Sequence, residues 1–122
     1  TASNQLIVPG KLPDWLSEED LHFYVNQFSE TGFRGGLNWY RNIKRIPSNL
    51  APFIEKRIEQ PALYLYGEHD MIAGNTPDAI EALPGSLSDL RGVHKFLDAG
   101  HWLQQERPHE VNKVIIEFLE SI

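Results

Sequence analysis

The sequence predicts an α/β chain in which a helical segment precedes two parallel strands, each followed by a helix. Three observations carry this prediction. Ser17 followed by Glu18, Glu19 and Asp20 is a helix start signal leading into an apolar pattern. Residues 62–66 form a compact apolar run stopped by Gly67, and the last residues repeat apolar side chains at three-and-four spacing.

Taken in order, the first helix starts at Ser17, whose hydroxyl can accept from an orphan amide while the carboxylates of the first turn suit the helix dipole. Leu21, Phe23, Tyr24, Val25 and Phe28 supply its apolar positions, and Gly32 stops it. A second helix is expected from Arg34 or Gly35 to Ile46, ended by Pro47. The Gly-containing turn at residues 31–36 makes the pair read as a helical hairpin or lid. A short stretch at residues 53–60 reads as one more helix. Ala62, Leu63, Tyr64, Leu65 and Tyr66 then suit a buried parallel strand, with both tyrosines in the core. Thr76 and Pro77 open a helix through residue 83, with proline where a missing amide costs nothing. Residues 93–97 are the second strand. Val111, Val114, Ile115, Phe118 and Leu119 mark the apolar face of a terminal helix after Pro108. The division expected is residues 1–52 as a lid and residues 53–122 as the sheet segment.

Two parallel strands make a poor sheet, because parallel strands are normally covered on both faces and belong to larger sheets. The chain also begins at Thr1, without Met or a start signal, so a fragment of a longer fold is expected.

Composition narrows the chemistry. With 41% hydrophobic and 23% charged residues the chain has a folding composition, not that of a disordered one. Its net charge of −6 opposes a phosphate backbone, and Lys44, Arg45, Lys56 and Arg57 are too sparse to make a basic face, so no nucleic-acid partner is expected. No cysteine is present, which removes thiolate nucleophiles, disulfides and Cys-type zinc sites. No apolar run is long enough to span a bilayer, and residues 1–9 lack the charge and apolar core of an export signal, so a cytoplasmic protein without a membrane partner is expected. His22, His69, His94 and His109 have no metal-like spacing with one another; no metal and no cofactor are expected.

In open α/β sheets the reactive groups collect beyond the carboxyl ends of the strands. The first strand is followed by Gly67-Glu68-His69-Asp70 and the second by Asp98-Ala99-Gly100-His101-Trp102. An acid after one strand and a histidine after its parallel neighbour would set a carboxylate beside an imidazole that it can orient and whose cation it can stabilise. Asp70 is equally an ordinary turn residue, since aspartate favours strand ends.

These segments resemble the acid and histidine segments of α/β-hydrolases, whose triads run nucleophile, acid, histidine along the chain. The resemblance implies Asp70 as acid and His101 as base. Gln104, Gln105, Glu106, Arg107 and Pro108, then Glu110-Val111-Asn112, resemble that superfamily's exit into its last helix. Within the superfamily, Asn38-Trp39-Tyr40-Arg41, preceded by Leu12-Pro13-Asp14-Trp15, is similar to the lid of soluble epoxide hydrolases. By that resemblance Tyr40 donates a hydrogen bond to the oxirane oxygen, where ring opening develops charge. Trp102, next to the base, is a candidate wall of the substrate site, with Ile72 and Trp39 as further candidates. Trp39 and Tyr40 could equally be packing aromatics of the lid helix. A second lid tyrosine of the family would lie upstream of Thr1.

The implied reaction converts an epoxide and water to a vicinal diol through an alkyl-enzyme ester. No Gly-x-Asp-x-Gly or Gly-x-Ser-x-Gly elbow occurs here, so the lone chain is expected to be inactive and to need the amino-terminal part of the hydrolase as partner. A haloalkane or haloacetate dehalogenase, an esterase, and a non-catalytic fragment pairing with another copy of itself are the alternatives. The tyrosine lid speaks against a dehalogenase, which holds its halide with other donors.

Overall fold

The computed structural model describes residues 9–122, so the beginning of the expected lid and most of the stretch read for an export signal lie outside the described residues. The chain divides into two compact units, the first ending at Asn49 and the second spanning Leu50–Ile122.

The described part of the first unit is helical. Helix α1 (Glu18–Thr31) begins at the Ser17 cap: the Ser17 hydroxyl accepts from the Asp20 amide, and the Asp20 carboxylate accepts from the Ser17 amide. The Ser17 hydroxyl also donates to the Asp20 carboxylate, and this bond first, then the one from the Ser17 amide, holds the Asp20 carboxyl below its ordinary value. The helix stops at Gly32, whose φ of 64° lies in the left-handed region that favours glycine. Phe28 and Phe33 stack across that turn with ring centroids 4.6 Å apart, pinning the connection to α2 (Arg34–Arg41).

The second helix is shorter than expected. It ends at Arg41, and a 3₁₀ turn (Ile43–Arg45) leads into α3 (Ile46–Leu50). Pro47 therefore starts a helix instead of ending one, since the first turn leaves its amide without an intrahelical acceptor in any case.

In the second unit a 3₁₀ turn (Ala51–Phe53) gives way to strand β1 (Ile58–Gly67), so no helix forms at residues 53–60. Pro61, which has no amide to donate, sits inside this strand at a register shift between Ile58 and Pro61. Helices α4 (Met71–Asn75), α5 (Pro77–Glu81) and α6 (Leu83–Ser86) follow, and strand β2 (Leu87–Phe96) pairs parallel to β1, with Gly67 opposite Phe96 at the carboxyl end. The segment closes with α7 (Leu103–Glu106) and α8 (Pro108–Glu120). The strand–helix–strand–helix order predicted from the sequence is thus present, with both strands extended toward their amino ends.

The buried cluster gathers at the carboxyl end of this sheet: Phe96, Ala99, Leu103 and Val111, with Leu65 and Val114 packed against it. Tyr64 and Tyr66 are half-buried and 5.8 Å apart between ring centroids, less enclosed than a core position. Elsewhere β1 and β2 are half-buried or exposed, unlike parallel strands covered on both faces.

Candidate active site

The carboxyl ends of β1 and β2 bring Asp70 and His101 together. Asp70 directly follows the turn after β1 and caps α4: its Oδ1 accepts from the Ile72 amide at 2.7 Å and the Ala73 amide at 3.4 Å. That bonding points the other oxygen, Oδ2, at His101 Nδ1, 3.1 Å away. The carboxylate therefore serves the ordinary turn role and the orienting role at once, one oxygen each.

The pair is asymmetric in exposure. The Asp70 side chain is 13% exposed and the His101 side chain 51%. Burial pushes the Asp70 carboxyl up, but the hydrogen bond from His101 and those from the Ile72 and Ala73 amides together outweigh it and hold the carboxyl below its ordinary value. With an anion facing it, Nδ1 is the donor, so the neutral ring carries its lone pair on Nε2.

Several contacts lock the two loops into this arrangement. The Glu68 amide donates to the Phe96 carbonyl at 2.9 Å and the His69 amide to the Ala99 carbonyl at 2.8 Å. Gly67 is buried against the opposite loop, where a Cβ would overlap the Ala99 and Gly100 carbonyl groups. Ala99, fully buried, and Leu103, 6% exposed, anchor the chain on either side of His101. Asp98, at φ 53°, turns the strand end into this loop. Arg107 reaches back to the Leu97 carbonyl at 2.9 Å.

Trp102 meets the His101 ring edge to face, with centroids 5.1 Å apart. Trp102 and Ile72 are exposed, at 56% and 57%, and Ile72 also supplies the amide that Asp70 accepts. Trp39 and Tyr40 belong to the first unit, on α2, at 77% and 68% exposure. Arg41 donates to the Asn38 side chain at 2.8 Å, and the Asn42 side-chain amide donates to the Asn38 carbonyl at 2.8 Å. Residues two apart lie on different helix faces, so Tyr40 projects away from Asn38.

Glu68, His69 and Asp98 form a grouping that spacing among histidines alone could not reveal, because it joins two strand ends. These exposed groups have ligand atoms within 4.8 Å of one another. A cation is already present, however: the Lys95 ammonium lies 2.8 Å from Glu68. Its hydrogen bond is the main cause of the lowered Glu68 pKa, and Glu68 in turn raises that of Lys95.

Sequence reasoning missed α4, and with it the capping half of Asp70's role. It also gave Gly67 only the role of a strand stop and Glu106 only a place in a motif. The signal for α4 was a local one, an aspartate ahead of a short run with no proline before Pro77.

No protein-family model matches the chain. It is 40% identical over 122 residues to epoxide hydrolase A of Mycobacterium tuberculosis, covering 98% of this chain and 36% of that protein. An epoxide hydrolase from an endophytic Streptomyces matches its structure with a TM-score of 0.88 and 40% identity, over 91% of this chain and 34% of the other. Potato (Solanum tuberosum) epoxide hydrolase I matches with a TM-score of 0.83 and 33% identity, over 89% of this chain and 35% of the other. The chain spans about a third of the length of these relatives.

Proposed function

Starting from a chain that belongs with the epoxide hydrolases of the α/β-hydrolase superfamily and corresponds to part of their length, we propose that it supplies the proton-handling groups of an epoxide hydrolase. The observation that carries the reading is the 3.1 Å contact between Asp70 Oδ2 and His101 Nδ1 at the ends of adjacent parallel strands.

In this reading a carboxylate outside these 122 residues attacks an epoxide carbon, the ring C–O bond breaks, and the oxygen takes a proton from Tyr40. Water then adds to the ester carbonyl while His101 Nε2 removes its proton. Collapse of the tetrahedral intermediate expels the diol oxygen, which takes the proton back from His101, and the proton of the re-formed carboxyl group returns to the Tyr40 phenolate, so carboxylate, phenol and neutral imidazole are all restored. Asp70 fixes the ring orientation and offsets the imidazolium charge during the second step. Trp39, Ile72 and Trp102 contribute apolar walls to the substrate site, residues 1–52 serve as lid, and the substrate is a small epoxide.

The remaining part of the hydrolase is the proposed partner. Exposed Val93, Ile115, Ile116 and Leu119 on β2 and α8 support this, since such a set would be covered in a larger sheet. A second copy pairing through the same strands is the competing occupant, and light scattering separates the two.

The test is an epoxide-to-diol assay on the purified chain alone and after joining it to a nucleophile-bearing amino-terminal part. No diol is expected from the chain alone, and turnover lost in His101→Ala is expected from the joined protein. Diol formation by the chain alone, abolished by His101→Ala, would overturn the division of labour.

A further inference from the structure

The hydrogen bonds around His101 do not end at Asp70. Glu106, three positions beyond the buried Leu103, folds back toward the loop. Its Oε2 accepts from the Gly100 amide at 2.6 Å and its Oε1 from the Trp102 amide at 2.9 Å. One carboxylate thus holds the amides immediately before and after the histidine.

We propose that Glu106 is the positioning residue for His101: its half-buried carboxylate clamps both flanking peptides and so fixes the backbone position from which the imidazole reaches Asp70. The proposal rests on His101 being the base of the reading above.

Two features separate this from helix capping alone. The bond to Trp102 reaches the N-cap amide of α7, as a capping side chain would. Gly100, in contrast, lies outside that helix, on the far side of His101, and its bond is the shorter of the two. The site is also fitted to a carboxylate there, since a Cβ at Gly100 would stand 3.0 Å from Glu106 Oε1. Hydrogen bonds from amides to an anion are stronger than neutral ones, and two converging on one group fix its position.

The opposite side of the loop is closed by Gly67, whose backbone leaves room for the Ala99 and Gly100 carbonyls. The His101 segment is therefore held by its carbonyls on one side and its amides on the other. Asp70 sets the ring's direction, and Glu106 sets the backbone from which the ring projects. A carboxamide at position 106 could accept only one of the two amides, because its other terminus is itself a donor.

The consequence is specific to one chemical step. Ester formation uses the nucleophile and Tyr40, whereas ester hydrolysis uses His101. In the complete hydrolase, where these residues stand with their nucleophile, Glu106→Gln and Glu106→Ala should leave alkylation within about twofold in single-turnover experiments. Ester hydrolysis should slow by about tenfold in Glu106→Gln, the worth of one net hydrogen bond. In Glu106→Ala it should slow by about a hundredfold, as for a reacting group displaced by about an ångström. If Glu106→Ala does not fold, Glu106→Gln decides. Unchanged hydrolysis would overturn the proposal, and so would an equal fall in both steps or a Glu106→Gln protein that fails to fold, either of which marks a structural role. His101→Gln is the control for the underlying reading: if it does not accumulate ester, that reading fails independently of Glu106.

Discussion

In α1 and α2 the polar side chains bond to residues three or four positions away: Ser17 with Asp20, Arg41 with Asn38, Asn42 with Asn38. The side-chain bonds that join the end of β1 to the end of β2 have partners 27 to 31 positions apart: Lys95 with Glu68, Asp98 with Glu68, His101 with Asp70. The first kind of bond defines where a helix begins and ends. The second kind fixes two side chains against each other, because neither can move without disturbing a strand end. Tyr40 is thus carried by a locally determined helix, while Asp70 and His101 are carried by interlocked loops around a buried cluster.

The contrast can be broken most severely at Gly67. Gly67→Ala puts a methyl group into the Ala99 and Gly100 carbonyls, so the loops must separate. The expected cost is about 3 kcal/mol, at the upper end of overpacking penalties, read as a lowered urea midpoint. Loss of the NMR contact between Asp70 and His101 should accompany it. An unchanged midpoint would show that the loops are not interlocked.

Ser17→Ala is the local counterpart. Removing one cap should cost about 1 kcal/mol and reduce helicity at α1 while leaving the Asp70 and His101 resonances in place. Movement of those resonances would refute the separation drawn here.

A finer perturbation is protonation. The Asp70 carboxyl is held below its ordinary 3.8, so the fold binds this proton less readily than the unfolded chain does. Its stabilisation is fully present above 3.8 and is lost as pH falls through the lowered value. Carbon-detected titration should place the Asp70 midpoint below 3.8 and move it upward in His101→Ala, where the Ile72 and Ala73 amides remain as the only lowering bonds of the set. A midpoint unmoved by that substitution would mean that the imidazole contributes nothing to holding the carboxylate.

The same division governs what was legible in the sequence. Ser17, Gly32 and the α8 apolar face act through neighbours on the same helix, and their boundaries came out close to those observed. Pro47 and residues 53–60 were misread because a proline and a short apolar stretch carry no local mark that tells a helix start from a stop, or a strand from a helix. Strand pairing with residues 87–96 decided the matter for β1. At the site, Asp70 and His101 were found because the ends of parallel strands are adjacent by topology. The second role of Asp70, the Gly67 approach and the Glu106 clamp were hidden because each depends on backbone atoms, and an amide or carbonyl leaves no trace in residue identity.

Asp70, through its contact with Nδ1, sets the state of the His101 ring. Nitrogen NMR of the imidazole at a pH where the ring is neutral tests this most directly. A proton on Nδ1 and a bare Nε2 are expected, with that preference lost in Asp70→Asn, whose side chain can present a donor to the ring. A neutral ring protonated on Nε2, unaffected by Asp70→Asn, would contradict it.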